Sequence, residues 1–394
     1  MKRLIYVCPT FFPKPTGFAI AFTNIIKAID LKGYFDEIII YSTDDGLEIP
    51  KGVKSKVKIT KYQVKGREKA AKLPSFICKK LLPKMFSGFI SDISQLTVGP
   101  DDVFMYEEFG VGFEMYLLKK DYPEAKHFLR VHGTFPEFTA CFSGLSHRRR
   151  YVDYALQDGE TNVVSTTNFY FNYLNEHFLK RSYDKQQKIN YYLLPNLIND
   201  DVMNSSDSKS NEEKVTLIQL GRMDKLGVFQ KGFFDTVRAL RYIESARPDL
   251  ASKLRIIMIG SGDDAARVDE QLEMLKLVQV VRHESCPNAT VKAYVNESDL
   301  VLMPSRCEGM SMFATEALAL GKPIVFTENN GLRDYLKDGY NGLSMEEFDY
   351  TELANNIVRY VTGECDLKKH GSNAEKTATE IREKVNACLD VMFS

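Results

Sequence analysis

Short apolar runs separated by helix-length amphipathic stretches set the rhythm of this chain. In the first half the runs fall at residues 3 to 8, 37 to 41, 102 to 106, 127 to 131, 162 to 165 and 190 to 194. Runs this short suit buried strands better than helices, and the stretches between them carry apolar residues at helical spacing. Strand and helix alternating in this way predict βαβ units around a parallel sheet. Residues 199 to 213, rich in Ser, Asn and Asp, have no apolar period to bury and predict a linker. Beyond it, runs at 215 to 220, 254 to 259, 277 to 281, 300 to 303 and 323 to 326 predict a second set of strands. Helical spacing over 374 to 392 predicts a last helix packing back toward the first domain. The expected organisation is one α/β domain over 1–198, a linker over 199–213, a second α/β domain over 214–373 and a terminal helix over 374–394. Two such domains leave a cleft as the expected place for a ligand.

Composition narrows the class without changing this outline. The chain has 394 residues, 44% apolar and 27% charged, long enough for two separate cores. No apolar run approaches the roughly 20 residues needed to span a bilayer. Met1-Lys-Arg-Leu-Ile-Tyr-Val-Cys8 is too short in its apolar part for a signal peptide and reads as a first strand. The seven cysteines are scattered and odd in number, which suggests neither a disulfide framework nor a zinc site and fits a reducing cytoplasm. The asparagines of three Asn-x-Ser/Thr matches, Asn204, Asn288 and Asn296, are then chance occurrences.

Charge is uneven along the chain. Residues 1 to 198 hold 28 Lys+Arg against 21 Asp+Glu, a net of +7, and the remainder 24 against 32, a net of −8. Lys51 to Lys84 concentrates twelve basic residues against the single acidic Glu68. Its latter part interleaves Lys79, Lys80 and Lys84 with large apolar side chains. That pattern suits a segment lying on an anionic membrane surface. It equally suits a solvated lysine face on a strand and helix. A lysine run without a docking motif is poor evidence for nucleic acid.

The densest chemistry lies in Pro304-Ser-Arg-Cys-Glu308-Gly309-Met310-Ser311-Met312-Phe-Ala-Thr-Glu316-Ala317. It follows an apolar run and leads into a helix closed by Gly321 and Pro323, so it forms a strand-loop-helix turn. Such a turn aims the free N–H groups of the helix at whatever lies beyond the strand end, an arrangement that suits a phosphate. Two carboxylates beside an anion must face its neutral parts, and sugar and ribose hydroxyls are good donors to them. A sugar nucleotide meets both demands. The plain alternative is a buried-strand turn with a surface glutamate.

In order, Gly221-Arg222-Met223 with Lys231-Gly232, Ile259-Gly260-Ser-Gly262, Pro304-Ser305 with Glu308 to Glu316, Gly321-Lys-Pro-Ile-Val325 and Asp338-Gly-Tyr-Asn-Gly342 follow predicted strand ends. Together they resemble the donor half of a retaining glycosyltransferase of family 4. The match spans residues 215 to 345; in the first half Val131-His132-Gly133, Val164-Ser165 and Leu194-Pro195-Asn196 carry a thinner likeness. The resemblance implies the GT-B fold, two Rossmann-like α/β domains facing across a cleft. It implies that Arg222 and Lys231 hold the donor diphosphate, where leaving-group charge needs cations if no metal serves. Gly309 and the N–H groups of Met310, Ser311 and Met312 would complete the phosphate cradle, Glu316 would bind ribose and Glu308 would stand near the hydroxyls of the transferred sugar. His132 would reach the sugar from the other domain, and Arg282 and His283 would lie near the base. Gly260 and Gly262 either contact the donor or merely permit a tight turn. Where the family has adjacent glycines in its first loop, this chain has Pro13-Lys-Pro-Thr-Gly17, leaving Gly17 as the contact there. Glu107 and Glu108 end another strand, either touching acceptor or simply solvated.

The implied reaction is front-side transfer with retention, the departing diphosphate taking the acceptor proton, without a protein nucleophile or a metal. This differs from glycosidases, whose two carboxylates flank the bond. The only cofactor-like species is the nucleotide-diphosphate sugar itself, with UDP-sugar favoured. The acceptor is expected to be a glycan, lipid-linked or of the envelope, reached from the cytoplasm or the inner face of a membrane. A sugar-nucleotide epimerase or hydrolase, or a silent glycan-binding subunit, would share the architecture. Nucleic acid is not an expected partner.

Overall fold

The computed structural model describes residues 1–8, 17–43, 53–132, 149–157, 159–176, 188–198 and 214–394. They form two compact units, Met1–Pro195 with Val385–Ser394, and Asn196–Lys384. The expected linker at 199–213 lies outside the described residues, as do residues 9–16 and Gly133.

The first unit is built on seven parallel strands. They are β1 (Arg3–Cys8), β2 (Glu37–Ser42), β3 (Lys56–Lys61), β4 (Val103–Glu107), β5 (Lys126–Val131), β6 (Thr161–Ser165) and β7 (Ile189–Leu193), in the order β3-β2-β1-β4-β5-β6-β7. β1, β2 and β4 are buried along their whole lengths, which explains runs that are apolar throughout rather than alternating. The sheet reverses its winding between β1 and β4. β3 is the strand that periodicity misses. It sits at the sheet edge with Lys56, Lys58 and Lys61 exposed, lysines that also discourage edge-to-edge pairing. The helix Ser75–Met85 follows, burying Cys78 and Leu82 and exposing Lys79, Lys80 and Lys84. The basic segment therefore contains both the strand and the helix of the solvated-face alternative.

The second unit has six parallel strands, β8 (Val215–Leu220), β9 (Leu254–Ile259), β10 (Gln279–His283), β11 (Leu300–Met303), β12 (Ile324–Thr327) and β13 (Gly342–Met345), in the order β10-β9-β8-β11-β12-β13. Its winding reverses between β8 and β11. β10 begins two residues later than the apolar run at 277 to 281 suggests. The Glu244 carboxylate accepts from the N–H groups of Lys276, Leu277 and Val278 at 2.8, 2.6 and 2.9 Å, so those groups are engaged before the ladder starts. β13 is too short to show as a period. It exists because a Cβ at Gly342 would stand 1.9 Å from the Ile324 carbonyl oxygen, so only glycine lets the strand close against β12.

Both units are therefore Rossmann-like α/β layers. The last helix, Leu367–Phe393, starts earlier than its apolar spacing suggests. Its Ala374, Ala378 and Ile381 belong to the core of the second unit, and its end from Val385 belongs to the first. No helix among the described residues is long and apolar enough to cross a membrane.

Candidate functional site

In the second unit the loops after β8 and β11 adjoin the reversal of the sheet, where α/β sheets take their ligands. Asp224 caps the helix Lys225–Lys231 by accepting from Gly227 N at 2.8 Å, and its other oxygen accepts from Arg222 Nη1 at 2.8 Å. The helix ends at Gly232, whose φ of 68° is left-handed and whose Cβ, if present, would meet the Pro304 carbonyl oxygen at 2.2 Å. That contact seats the helix end against the loop after β11. Gln230 Nε2 donates to the Cys307 carbonyl at 2.7 Å, Arg306 N donates to the Gln230 carbonyl at 2.9 Å, and Gln219 Nε2 donates to the Lys231 carbonyl at 2.8 Å. So held, Lys231 places Nζ 2.5 Å from Glu308 Oε1. Glu308 is buried, Lys231 is largely so, and Arg222 remains exposed.

The two residues to which the sequence gives separate duties, phosphate and sugar, are thus one ion pair. Its stem explains the preceding glycine, because a Cβ at Gly221 would lie 2.6 Å from Lys231 Cγ. From below, Asn330 Nδ2 donates to the Ser305 carbonyl at 2.7 Å and Gly331 N to the Glu308 carbonyl at 2.8 Å. A side chain at 331 would strike the carbonyls of Glu308 and Gly309 at 2.7 and 2.8 Å.

Ser311 is the N-cap of the helix Met312–Ala319, accepting from Ala314 N at 3.4 Å. Its own N–H, expected in the phosphate cradle, donates instead to Tyr335 Oη at 3.0 Å. Of the other N–H groups expected there, that of Met312 lies in the first turn of the helix, where backbone N–H groups have no intrahelical acceptor. Met310 is held by Asn196, whose Nδ2 donates to the Met310 carbonyl at 2.7 Å and whose N–H meets its sulfur at 3.0 Å. Glu316 is buried, and its Oε1 has no hydrogen-bond partner among the described residues. Burial pushes its pKa up, with Lys292 and Asn288 pulling the other way.

Around β9 and β10 the frame takes up most of the predicted contacts. A Cβ at Gly260 would lie 2.1 Å from the Gly221 carbonyl oxygen, and one at Gly262 2.1 Å from Asp224 N. Both glycines therefore let the β9 loop nest against the β8 loop. Arg282 Nε donates to Asp269 at 2.7 Å and its Nη2 to the Gly260 carbonyl at 2.7 Å. Its guanidinium braces these loops. His283 stacks on Tyr294, centroids 4.5 Å apart at 25°, and its buried Nε2 has no hydrogen-bond partner among the described residues.

In the first unit Gly17 opens the helix Gly17–Lys32, and the loop before it is outside the described residues. β4 and β5 end on a buried charge cluster rather than on the solvated glutamates expected as one alternative. Glu107 Oε1 accepts from Arg130 Nη1 at 3.0 Å and contacts His132 Nε2, and Tyr6 Oη donates to Oε2. Burial pushes the Glu107 carboxyl up, but Arg130, His132 and Tyr6 more than offset this and hold it below the usual range. Burial, helped by Arg130, lowers the His132 pKa. Glu108 Oε1 accepts from His132 N at 2.8 Å. Tyr335, Asn330, Tyr6 and Arg130 are residues to which the sequence alone gives no role, since each acts through a partner distant in sequence.

With this geometry in view, comparison with known proteins is informative. Residues 203–377 match the family model for glycosyl transferases group 1. The chain is 26% identical over 157 residues to a D-inositol 3-phosphate glycosyltransferase of Thermobifida fusca, covering 38% of this chain and 35% of that protein. It is 26% identical over 163 residues to the putative colanic acid biosynthesis glycosyltransferase WcaL of Salmonella typhimurium, covering 40% and 38%. The chain thus matches little more than a third of the length of these curated relatives. Among solved structures, Anabaena Alr3699/HepE in complex with UDP superposes with a TM-score of 0.71 at 14% identity, covering 99% of both chains. At that identity the likeness establishes the fold, the two-domain GT-B arrangement of α/β layers.

Proposed function

We propose, from the premise that residues 203–377 are a glycosyl transferases group 1 domain, that this chain moves a sugar from a nucleoside-diphosphate donor to a hydroxyl of a glycan acceptor, with retention and without a metal ion. The observation that carries the reading is the Lys231–Glu308 pair at 2.5 Å beside a helix N-terminus, with an oxygen of Glu316 on that helix that has no hydrogen-bond partner among the described residues. A diphosphate satisfies the first-turn N–H groups, Lys231 and the exposed Arg222. Ribose hydroxyls satisfy Glu316, and a sugar hydroxyl replaces or shares Lys231 as the partner of Glu308. Such groups stabilise the charge that grows on the leaving diphosphate, whose oxygen takes the acceptor proton. No protein nucleophile is needed for that step.

UDP is the favoured carrier, consistent with the UDP bound by the Anabaena neighbour. The names of the relatives point to a polyol or polysaccharide acceptor, and we assign it to the first unit. A lipid-linked or envelope glycan fits the basic, partly apolar surface there, with docking to an anionic membrane face.

A thermal-stabilisation screen of UDP-, GDP- and ADP-sugars tests the donor assignment, because a ligand that binds only the folded state raises apparent stability. One class should raise the melting temperature, with transfer unaffected by chelation. Arg222→Ala and Lys231→Ala should each lower turnover by roughly 10²- to 10³-fold, the scale for losing one charge-stabilising group. Stabilisation by none of the donors, or variants within threefold of the parent, overturns the assignment.

A further inference from the structure

Glu108 stands immediately after β4, the strand beside the reversal in the first sheet. Its backbone, φ 64° and ψ 160°, lies in a region that is populated almost only by glycine, and such strain persists where the surroundings enforce it, often at functional sites. The side chain is 5% exposed. Of its two oxygens, Oε1 is accounted for by the His132 N–H at 2.8 Å. Oε2 is buried and has no hydrogen-bond partner among the described residues. A residue present only to shape the turn would be better served by glycine, and one present only to cap His132 would not leave a second polar atom buried and, among the described residues, unused.

We propose that Glu108 is an acceptor-binding residue, its Oε2 hydrogen-bonding the acceptor hydroxyl, on the transferase reading given above. The charged groups around it restrict the ligand. Glu107 adjoins it on β4, Arg130 and His132 approach from β5, and Tyr6 of β1 faces Glu107. Arg130 and His132 are already committed to Glu107, so among the described residues named here an anionic group meets two carboxyls and no uncommitted cation. Burial raises the Glu108 carboxyl to about 7, with Glu107 adding to the shift and the His132 and Phe109 N–H groups and Arg130 opposing it. Near neutrality it exists in both forms, and a hydroxyl, being donor and acceptor, can pair with either. A neutral polyol or sugar hydroxyl fits these conditions, while a phosphate does not.

The test uses the full chain, the nucleotide sugar that stabilises it best, and two acceptor probes, water in donor hydrolysis and methyl α-D-glucopyranoside in transfer. In Glu108→Gln and Glu108→Gly, hydrolysis and transfer should fall roughly tenfold or more, the scale of one lost hydrogen bond in a buried site, while the donor dissociation constant stays within about twofold. The wild-type rate should change around pH 7 and the Gln variant should lose that inflection, which a purely structural role would not produce. Glu108→Gly should also raise the melting temperature, since it relieves the backbone while losing the contact. Normal donor binding with wild-type hydrolysis and transfer in both variants overturns the acceptor role alone. If no nucleotide sugar stabilises the wild-type chain, the transferase reading fails and takes this role with it.

Discussion

At the scale of single residues, the carboxylates and cations proposed to hold the donor, Glu308, Glu316, Arg222 and Lys231, are visible in the sequence as charges in the segments that follow β8 and β11. Their pairing was not visible. Lys231 and Glu308 meet only because Gly232 admits the Pro304 carbonyl and Gln230 reaches Cys307, contacts more than seventy positions apart in sequence. The buried state of Glu107 and Glu108 is equally hidden, since their partners Tyr6, Arg130 and His132 lie on β1, on β5 and just after β5. Burial has a measurable consequence at Glu108. A carboxyl raised from 4.5 to about 7 in the folded state contributes stability that is complete below the unfolded value and is lost as pH rises through the folded one. The difference corresponds to about 3 kcal/mol. Glu108→Gln should therefore stabilise the protein more at pH 8 than at pH 4.5, as read from denaturant midpoints. An unchanged difference between the two pH values would show that the carboxyl ionises normally.

At the scale of elements, strands buried on both faces were legible because nothing in them alternates, whereas β3 and β13 were not. Charge concealed the first, and the second depends on one glycine and four residues. The helix Ser75–Met85 shows how an element can satisfy the core and still present chemistry outward. Cys78 and Leu82 face inward, while Phe76 and Leu81 remain 66% and 38% exposed among the lysines. Large apolar side chains beside Lys79, Lys80 and Lys84 suit an interface where a ring enters the headgroup layer and ammonium groups meet anionic lipid, each worth about 1 kcal/mol there. Changing those three lysines to Glu should abolish co-sedimentation with phosphatidylserine-containing vesicles at low salt and leave nucleotide affinity intact. Phe76→Ser should weaken binding to the same vesicles in a way that salt does not mimic. Equal sedimentation with neutral and anionic vesicles, unchanged in the triple variant, would identify the lysines as a solvated face only.

For the whole molecule, the helix Leu367–Phe393 matters most, because one continuous element serves both units. Its apolar spacing was readable, but not the fact that its last turns complete the first unit. Val385, Leu389, Met392 and Phe393 are each at most 1% exposed. The Phe393 ring packs 5.2 Å from Phe35 and 5.8 Å from Phe128, and Lys2 Nζ donates to its carbonyl at 2.5 Å. Asp390 adds contacts to Tyr34 and to Lys32, the latter at 3.1 Å, but these are exposed and contribute little. Four buried apolar side chains at roughly 1.5–3 kcal/mol each are comparable with the roughly 5–15 kcal/mol that keeps a domain folded. Deleting residues 385–394 should therefore expose the first unit to proteolysis and lower its unfolding transition. The second unit keeps its sheet, its Lys231–Glu308 pair and the loops around them, so a nucleotide that stabilises the full chain should still protect it in the truncated one. Loss of both transitions together would mean that the second unit depends on the first for its fold, and melting identical to the full chain would mean that these ten residues carry little of the stability their burial implies.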